Sequence, residues 1–553
     1  MDSIRIKNLR LLEDTGPIDI KPITLLLGAN SSGKSTFLRA FPLMRQSVEA
    51  KTTSPILWYG QFVDFGSFDE AINNLEPANQ EKEISFAYHF QFSNFLMRNE
   101  YINYYKYFLF HFSKNLSLKQ ESFRKSPIDK LEISLEIKLA RVHEQYSNFL
   151  KEVLLKFSDH LIKLEINEQG KLIKFKVNQS EFSEEMKDVK FLPQKGLIPL
   201  FIEPIPQEEK NDLLHSIISL GYQLRKGSYS SRLIKLLKTE ITNLVHYQIK
   251  NNEERIITII GSLLGIGIES SNTILNLVQN NKNGGNIWNN KTRVWSIESP
   301  DFQKLRDILV ADSALLILSM ADKYLSNFAC NISYIAPVRA TAERYYRFQD
   351  LAVGEVDSQG KNLAMFIKSL NNKEQKSFEE WTQKYFGFSI GVDQSEGHVS
   401  LKLKEKNCQQ KRNLADTGFG FSQVLPILTQ LWWLSRGKGQ VNKDYPITFA
   451  IEQPELHLHP GLQALLADSF IATIKIAKEQ GFDLRLVIET HSETLVKRFS
   501  PHIANKNFDH NDINLVIFER ENSETPAKVR IAKYTQAGLF DNWPLGFFLP
   551  DPI

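Results

Sequence analysis

Two kinds of apolar pattern run along the chain. One is alternation, as in Leu131-Glu-Ile-Ser-Leu-Glu-Ile-Lys-Leu139 and in Ile4–Ile6, Ile18–Ile20 and Ile84–Phe92. A period of two puts one face of a strand on a core and the other in water. Leu161–Ile166 and Leu172–Val177 flank Asn-Glu-Gln-Gly-Lys, which predicts a hairpin, and together these segments predict an antiparallel sheet. The other kind is the continuous apolar run. Ile23–Leu27, the run ending at Ile451 and Leu486–Ile488 predict buried strands. Residues 59–68 read as a turn-rich connection. From about Gln207 to Gln279 the spacing turns helical, with Leu213, Leu214, Ile217, Ile218 and Leu220 on one face. Residues 279–292, rich in Asn, Lys and Gly, predict an exposed loop. Ile308–Met320 and Val424–Leu434 are too short for a membrane span and predict core helices. The pattern therefore predicts an α/β chain in three stretches: an N-terminal part (1–100), a mixed sheet-and-helix insertion (101–325), and a C-terminal part (326–553) that returns to α/β character.

The chemistry begins where the first buried run ends. Gly28-Ala-Asn-Ser-Ser-Gly-Lys-Ser-Thr36 is a complete Walker A loop, followed by a helix predicted over about Ser35–Arg45. Gly28 and Gly33 let the backbone curl so that its N–H groups face phosphate oxygens. Asn30, Gly33, Lys34, Ser35 and Thr36 are the candidate ATP-binding residues. Lys34 would reach the β- and γ-phosphates, Ser35 would ligate Mg²⁺, and the helix N-terminus favours the same anion.

A second buried run opens Pro446-Ile-Thr-Phe-Ala-Ile-Glu-Gln-Pro-Glu-Leu-His-Leu-His-Pro460, with Glu452 at the strand end as the candidate Walker B acid and second Mg²⁺ ligand. His457 and His459 fit phosphate-site architecture better than a metal site of their own. A third run delivers Glu489-Thr-His-Ser492, where His491 could sense the γ-phosphate or orient water. Upstream, Asp416-Thr-Gly-Phe-Gly-Phe-Ser-Gln423 opens an apolar helix, with Gly420, Ser422 and Gln423 at a second anion-binding end. One nucleotide does not need two such ends from one subunit, so this end is expected to meet a γ-phosphate held by a second copy.

These motifs resemble the ABC-type ATPases of the SMC, DNA-break-repair and OLD-nuclease group. The resemblance implies an ABC-type P-loop ATPase head split by the insertion, and a dimer around two ATP molecules. It implies the signature role for Gly418–Gln423, the switch-histidine role for His491 and a Q-loop role for Gln61. Tyr334-Ile-Ala-Pro-Val-Arg-Ala-Thr-Ala-Glu-Arg-Tyr-Tyr346 and Asp541-Asn-Trp-Pro-Leu-Gly-Phe-Phe548 are similar to the Septu-type anti-phage defence ATPases, the PtuA family. That likeness implies an HNH nuclease partner and, in retron-associated members, a reverse transcriptase with its msDNA and ncRNA. It also makes Arg339 and Arg344 candidates for interdomain or nucleic-acid contact. The chain departs from active ABC enzymes at Gln453, where they carry a carboxylate that acts as general base. An amide cannot accept that proton, so Glu455 or His491 would have to substitute, or hydrolysis is slow. The alternative readings are an SMC-like DNA-repair ATPase, which would carry long heptad runs that this chain lacks, and an OLD-like nuclease. Only about sixty residues follow His491, fewer than a nuclease domain needs.

Composition changes little. The 67 basic and 64 acidic residues leave a net charge of +3, which argues against a strongly basic nucleic-acid binder without excluding a local groove. Cys330 and Cys408 have no metal spacing, the N-terminus lacks a signal-peptide core, and a cytoplasmic location is expected. The aromatic stretch Tyr101–Phe112 reads as buried core or as a docking surface.

Overall fold

A computed structural model describes residues 1–93, 130–142, 148–202 and 231–553, apart from short gaps at 51, 53, 75–81, 193–194, 350–352, 407, 440–441, 443, 545–546 and 549–553. The Tyr101–Phe112 stretch and the helical signal at Leu213–Leu220 lie outside the described residues.

The continuous runs form a seven-stranded sheet in the order Ile332–Ile335, Ile447–Glu452, Leu484–Glu489, Ile23–Gly28, Ile513–Glu519, Lys528–Tyr534, Phe540–Asp541. The first five strands are parallel and the last two antiparallel. These strands are apolar throughout because each serves two cores. Ile23, Leu25 and Leu27 enter one hydrophobic cluster, while Leu26 enters the other. Phe449 and Ile451 against Ala450, and Leu486 and Ile488 against Val487, divide the same way. Complete burial of one such Leu or Ile contributes about 1.5–3 kcal/mol. Parallel strands covered on both faces are the arrangement that yields unbroken apolar runs.

The alternating segments form a nine-stranded antiparallel sheet, with Ser3–Leu9 paired to Glu83–Ser93 and the order continuing through Lys130–Arg141, Asn148–Phe157, His160–Ile166 and Leu172–Val177. The expected hairpin is present, and Asn148–Phe157 adds a strand that the reading of the sequence left out. In Lys130–Arg141 every second side chain is buried, as the alternation requires. The sheet runs without interruption from the N-terminal stretch into the insertion. It shares its core with the helix Lys34–Glu49 and with the 31-residue helix Pro300–Cys330. Both apolar runs expected to be core helices are so: Ile308–Met320 lies in Pro300–Cys330, and Val424–Leu434 in Phe419–Leu434. Among the described residues no helix is long and apolar enough to cross a membrane.

One expectation fails. Residues 279–292 are not simply an exposed loop, because Gly285–Thr292 is a helix whose Trp288 is fully buried and donates its indole N–H to the Val278 carbonyl at 2.8 Å. The surrounding Asn and Lys residues set the composition, but the single Trp sets the fold. Gly284 leaves room for it, since a Cβ there would lie 2.2 Å from the indole.

Candidate functional site

The Walker A loop leaves the Ile23–Gly28 strand through backbone conformations suited to glycine. Gly28 has φ 142° and Gly33 φ 101°, and a Cβ on Gly28 would lie 2.2 Å from the Phe518 carbonyl oxygen of the neighbouring strand. Lys34 is 3% exposed and donates to the Ala29 carbonyl at 2.7 Å, curling back over the loop. Burial lowers its pKa, and Glu489 partly offsets that.

Strand order decides what faces this loop. The strand beside Ile23–Gly28 is Leu484–Glu489, and the Walker B strand lies one further out. The register places Glu489 opposite both Leu26 and Glu452. Ser35 Oγ therefore donates to Glu489 Oε1 at 2.9 Å, and Lys34 Nζ stands 4.0 Å from the same oxygen. Burial, then the charge of Glu452 alongside, pushes the Glu489 carboxyl up to about 7. Glu452 is 1% exposed and held on both oxygens by Arg39 at 2.8 Å, with the Tyr334 hydroxyl donating at 2.7 Å. The bond to Glu452 raises the Arg39 pKa.

A cleft of roughly 300 Å³ is lined by Arg10, Leu11, Asn30, Ser31, Ser32, Gly33, Lys34, Ser35, Thr36, Gln453, Glu489 and His491. The structure thus gathers the candidate phosphate-binding residues with Gln453 and His491. Gln453 sits at φ 42° and donates its N–H to the Glu489 carbonyl at 2.9 Å, which fixes it at the mouth. Burial, then Lys34, lowers the His491 pKa, so the ring is biased toward neutral imidazole. Glu455 lines an adjoining cleft with Gln453 and His491, and its Oε1 accepts from the His491 backbone N–H at 2.7 Å. Burial raises its pKa. Gln61 is exposed on its loop and does not line the phosphate cleft.

Gly418–Gln423 lies elsewhere. Gly418 caps the helix Phe419–Leu434 without a side-chain cap, Phe419 is 47% exposed, and none of these residues lines the Walker A cleft. Gly420 packs on the Walker B tail, where a Cβ would lie 2.8 Å from the His457 carbonyl oxygen. Ser422 bonds its own helix at Phe419 O (2.7 Å), and Gln423 donates to the Arg339 carbonyl at 3.3 Å. His457 and Phe419 pack as a T-shaped pair, and His459 caps the helix Pro460–Glu479.

Arg339, expected as a contact residue, is instead 4% exposed, with its guanidinium donating to the Glu452 carbonyl at 2.6 Å and to that of Gln453 at 3.3 Å. Burial lowers its pKa to about 10. It braces the Walker B end from inside and is closed to nucleic acid. Arg344 pairs on the surface with Asp416.

Sequence reasoning missed Arg10, Arg39, Tyr334 and Glu489. Glu489 stood in a noticed motif, but only His491 was drawn from it. The position four residues after Ser35, one helical turn on, was the available signal for Arg39.

The residues present fit a nucleotide with a divalent cation. Glu489 Oε2 is buried without a hydrogen-bond partner beside Ser35, which is the lone pair a cation would take. Among the described residues no three His, Cys, Asp or Glu side chains converge on a metal site, so such a cation would rely on phosphate oxygens. Parallel strand order, phosphate loop and converging acids define an ABC-type P-loop ATPase head. The chain belongs to the AAA ATPase domain family (AAA_15), whose model matches residues 1–496. No curated protein matches the sequence. Among solved structures it is similar to an SMC head bound to the C-winged helix domain of ScpA, at 10% identity over 96% of this chain and 98% of that one, TM-score 0.31. An SMC head with an extended coiled coil bound to the C-terminal domain of ScpA, from Pyrococcus furiosus, is 12% identical over 96% of each chain, TM-score 0.31. The SMC head domain from Thermotoga maritima is 8% identical over 96% of this chain and 97% of that one, TM-score 0.32. At these scores the likeness adds nothing to the topology described above.

Proposed function

We propose that this chain is a cytoplasmic ATPase subunit that pairs with a second copy of itself around Mg·ATP and, within an anti-phage defence complex, scaffolds and restrains a separate nuclease of the HNH type. The observation that carries the pairing is the helix start at Gly418–Gln423, which has no side-chain cap and lies outside the chain's own phosphate cleft. Val338 (76% exposed) and Tyr345 (60%) lie exposed on the neighbouring loop, which Arg344 ties to Asp416. The nuclease, and a reverse transcriptase with msDNA in retron-type assemblies, rest on the motif resemblance.

In this reading the amides of Gly33–Thr36 and Lys34 hold the β- and γ-phosphates, and Arg10 covers the mouth. Mg²⁺, when bound, would neutralise charge that develops in phosphoryl transfer. Ser35 and a buried acid supply its protein ligands. His491, uncharged, accepts a hydrogen bond from water or donates one to the γ-phosphate. Gln453 orients water but cannot take its proton, which leaves Glu455 and His491 as acceptors and makes turnover slow. Nucleotide then acts chiefly as the ligand that joins two heads.

The test is a tagged pull-down from the native host with and without Mg-ATP, with bound proteins and nucleic acids identified together. Recovery of a nuclease, with or without a reverse transcriptase and its DNA, supports the reading. Recovery of the chain alone or with DNA ends overturns it in favour of an SMC-like repair ATPase.

A further inference from the structure

Two buried acids stand side by side at the phosphate cleft, and their surroundings differ. Glu452 at the end of the Walker B strand is fully committed: Arg39 takes both of its oxygens and Tyr334 adds a third bond. A bidentate guanidinium neutralises that carboxylate, and freeing it for a cation would strand a buried charge on Arg39. Glu489 is 2% exposed, lines the cleft with Lys34 and Ser35, and keeps Oε2 without a partner. The distance between Ser35 Oγ and Glu489 Oε1 is 2.9 Å. That bond engages Oε1, which leaves Oε2 as the free carboxylate oxygen beside Ser35 that a cation would take.

We infer that Glu489, and not Glu452, is the carboxylate presented to the Mg²⁺ of a bound nucleotide. Arg39 and Tyr334 hold Glu452 as a strut that ties the helix Lys34–Glu49 to the strands ending at Ile335 and Glu452. The inference rests on the ATP reading above and goes beyond it by assigning the cation to a different strand. Nothing in it depends on the rate of hydrolysis.

The test is equilibrium binding of a fluorescent ATP analogue in EDTA, in Mg²⁺ and in Cd²⁺. Wild type is expected to bind in EDTA and more tightly in Mg²⁺. E489Q, which is isosteric and still accepts from Ser35, should lose the Mg²⁺ gain, measured against its own affinity in EDTA, by roughly ten-fold or more, the scale of a disrupted metal shell. E489C should lose the gain with Mg²⁺ and recover it with thiophilic Cd²⁺. E452C strands Arg39, lowers the melting temperature and gains nothing from Cd²⁺. Cadmium rescue of E452C, or a full Mg²⁺ gain in E489Q, overturns the assignment. A wild-type chain that binds no nucleotide under any condition overturns the ATP reading itself, which is a different outcome from binding that ignores Mg²⁺.

Discussion

Glu489→Gln in the nucleotide-free chain offers a direct measure of what the cleft costs when empty. Burial, with Glu452 opposite, raises the Glu489 carboxyl from 4.5 to about 7. For an acid raised in the folded state, the unfolded chain ionises first. Stability is therefore full below the unfolded value and is lost as pH rises toward the folded one. Linkage puts the loss at about 1 kcal/mol by pH 5.5 and about 3 kcal/mol by pH 8.5. The Gln variant removes the ionisation and keeps the bond from Ser35, so it should be more stable than wild type by a margin that widens by about 2 kcal/mol between those pH values. Urea unfolding of both chains in EDTA, followed by tryptophan fluorescence at pH 5.5 and 8.5, gives that margin as a difference. A margin that stays constant, or that shrinks as pH rises, would refute the account of Glu489 as a strained, buried carboxyl.

Gln453→Glu should raise ATP turnover, within the hundred- to ten-thousand-fold range on the order of which general bases contribute; an unchanged or lower rate in a steady-state phosphate-release assay removes that role from the position. Gly28→Ala places a Cβ 2.2 Å from the Phe518 carbonyl and should abolish nucleotide binding with a lowered melting temperature, read by calorimetry. Gly418→Arg, at the exposed helix start where a Cβ meets nothing within 4 Å, should leave monomer affinity for ATP intact and abolish Mg-ATP-dependent pairing in sedimentation runs. Trp288→Ala should cost about 3–5 kcal/mol, the range for emptying a buried aromatic site, while ATP affinity holds.

Much of the head was legible in the chain because its signals are local. Gly28, Gly33 and Lys34 act within one strand–loop–helix turn, so the phosphate loop could be read without neighbours. The runs at Ile23–Leu27 and Leu486–Ile488 identified buried strands because burial on both faces needs unbroken apolar sequence. The alternation at Leu131–Leu139 gave a half-wet strand by the same logic. Residues 279–292 were misread because average composition outvoted one Trp, whose 0% exposure no window of Asn and Lys could announce. Arg339 was misread because an arginine in a loop looks exposed until its partners, the carbonyls of Glu452 and Gln453, are seen to lie 113 and 114 residues away.

The sequence by itself determined that this protein carries a phosphate loop, an acid-tipped strand, a histidine-tipped strand and an open helix start, each a property of a few consecutive residues. Only the tertiary structure decided which acid meets Ser35. That choice follows from a sheet order that inserts Leu484–Glu489 between the two Walker strands and from a register that sets Glu489 beside Leu26. The resulting bond joins residues 454 apart in the chain. Cross-strand neighbours are set by pairing and by the cores on either face, so no local pattern could have told the two carboxylates apart.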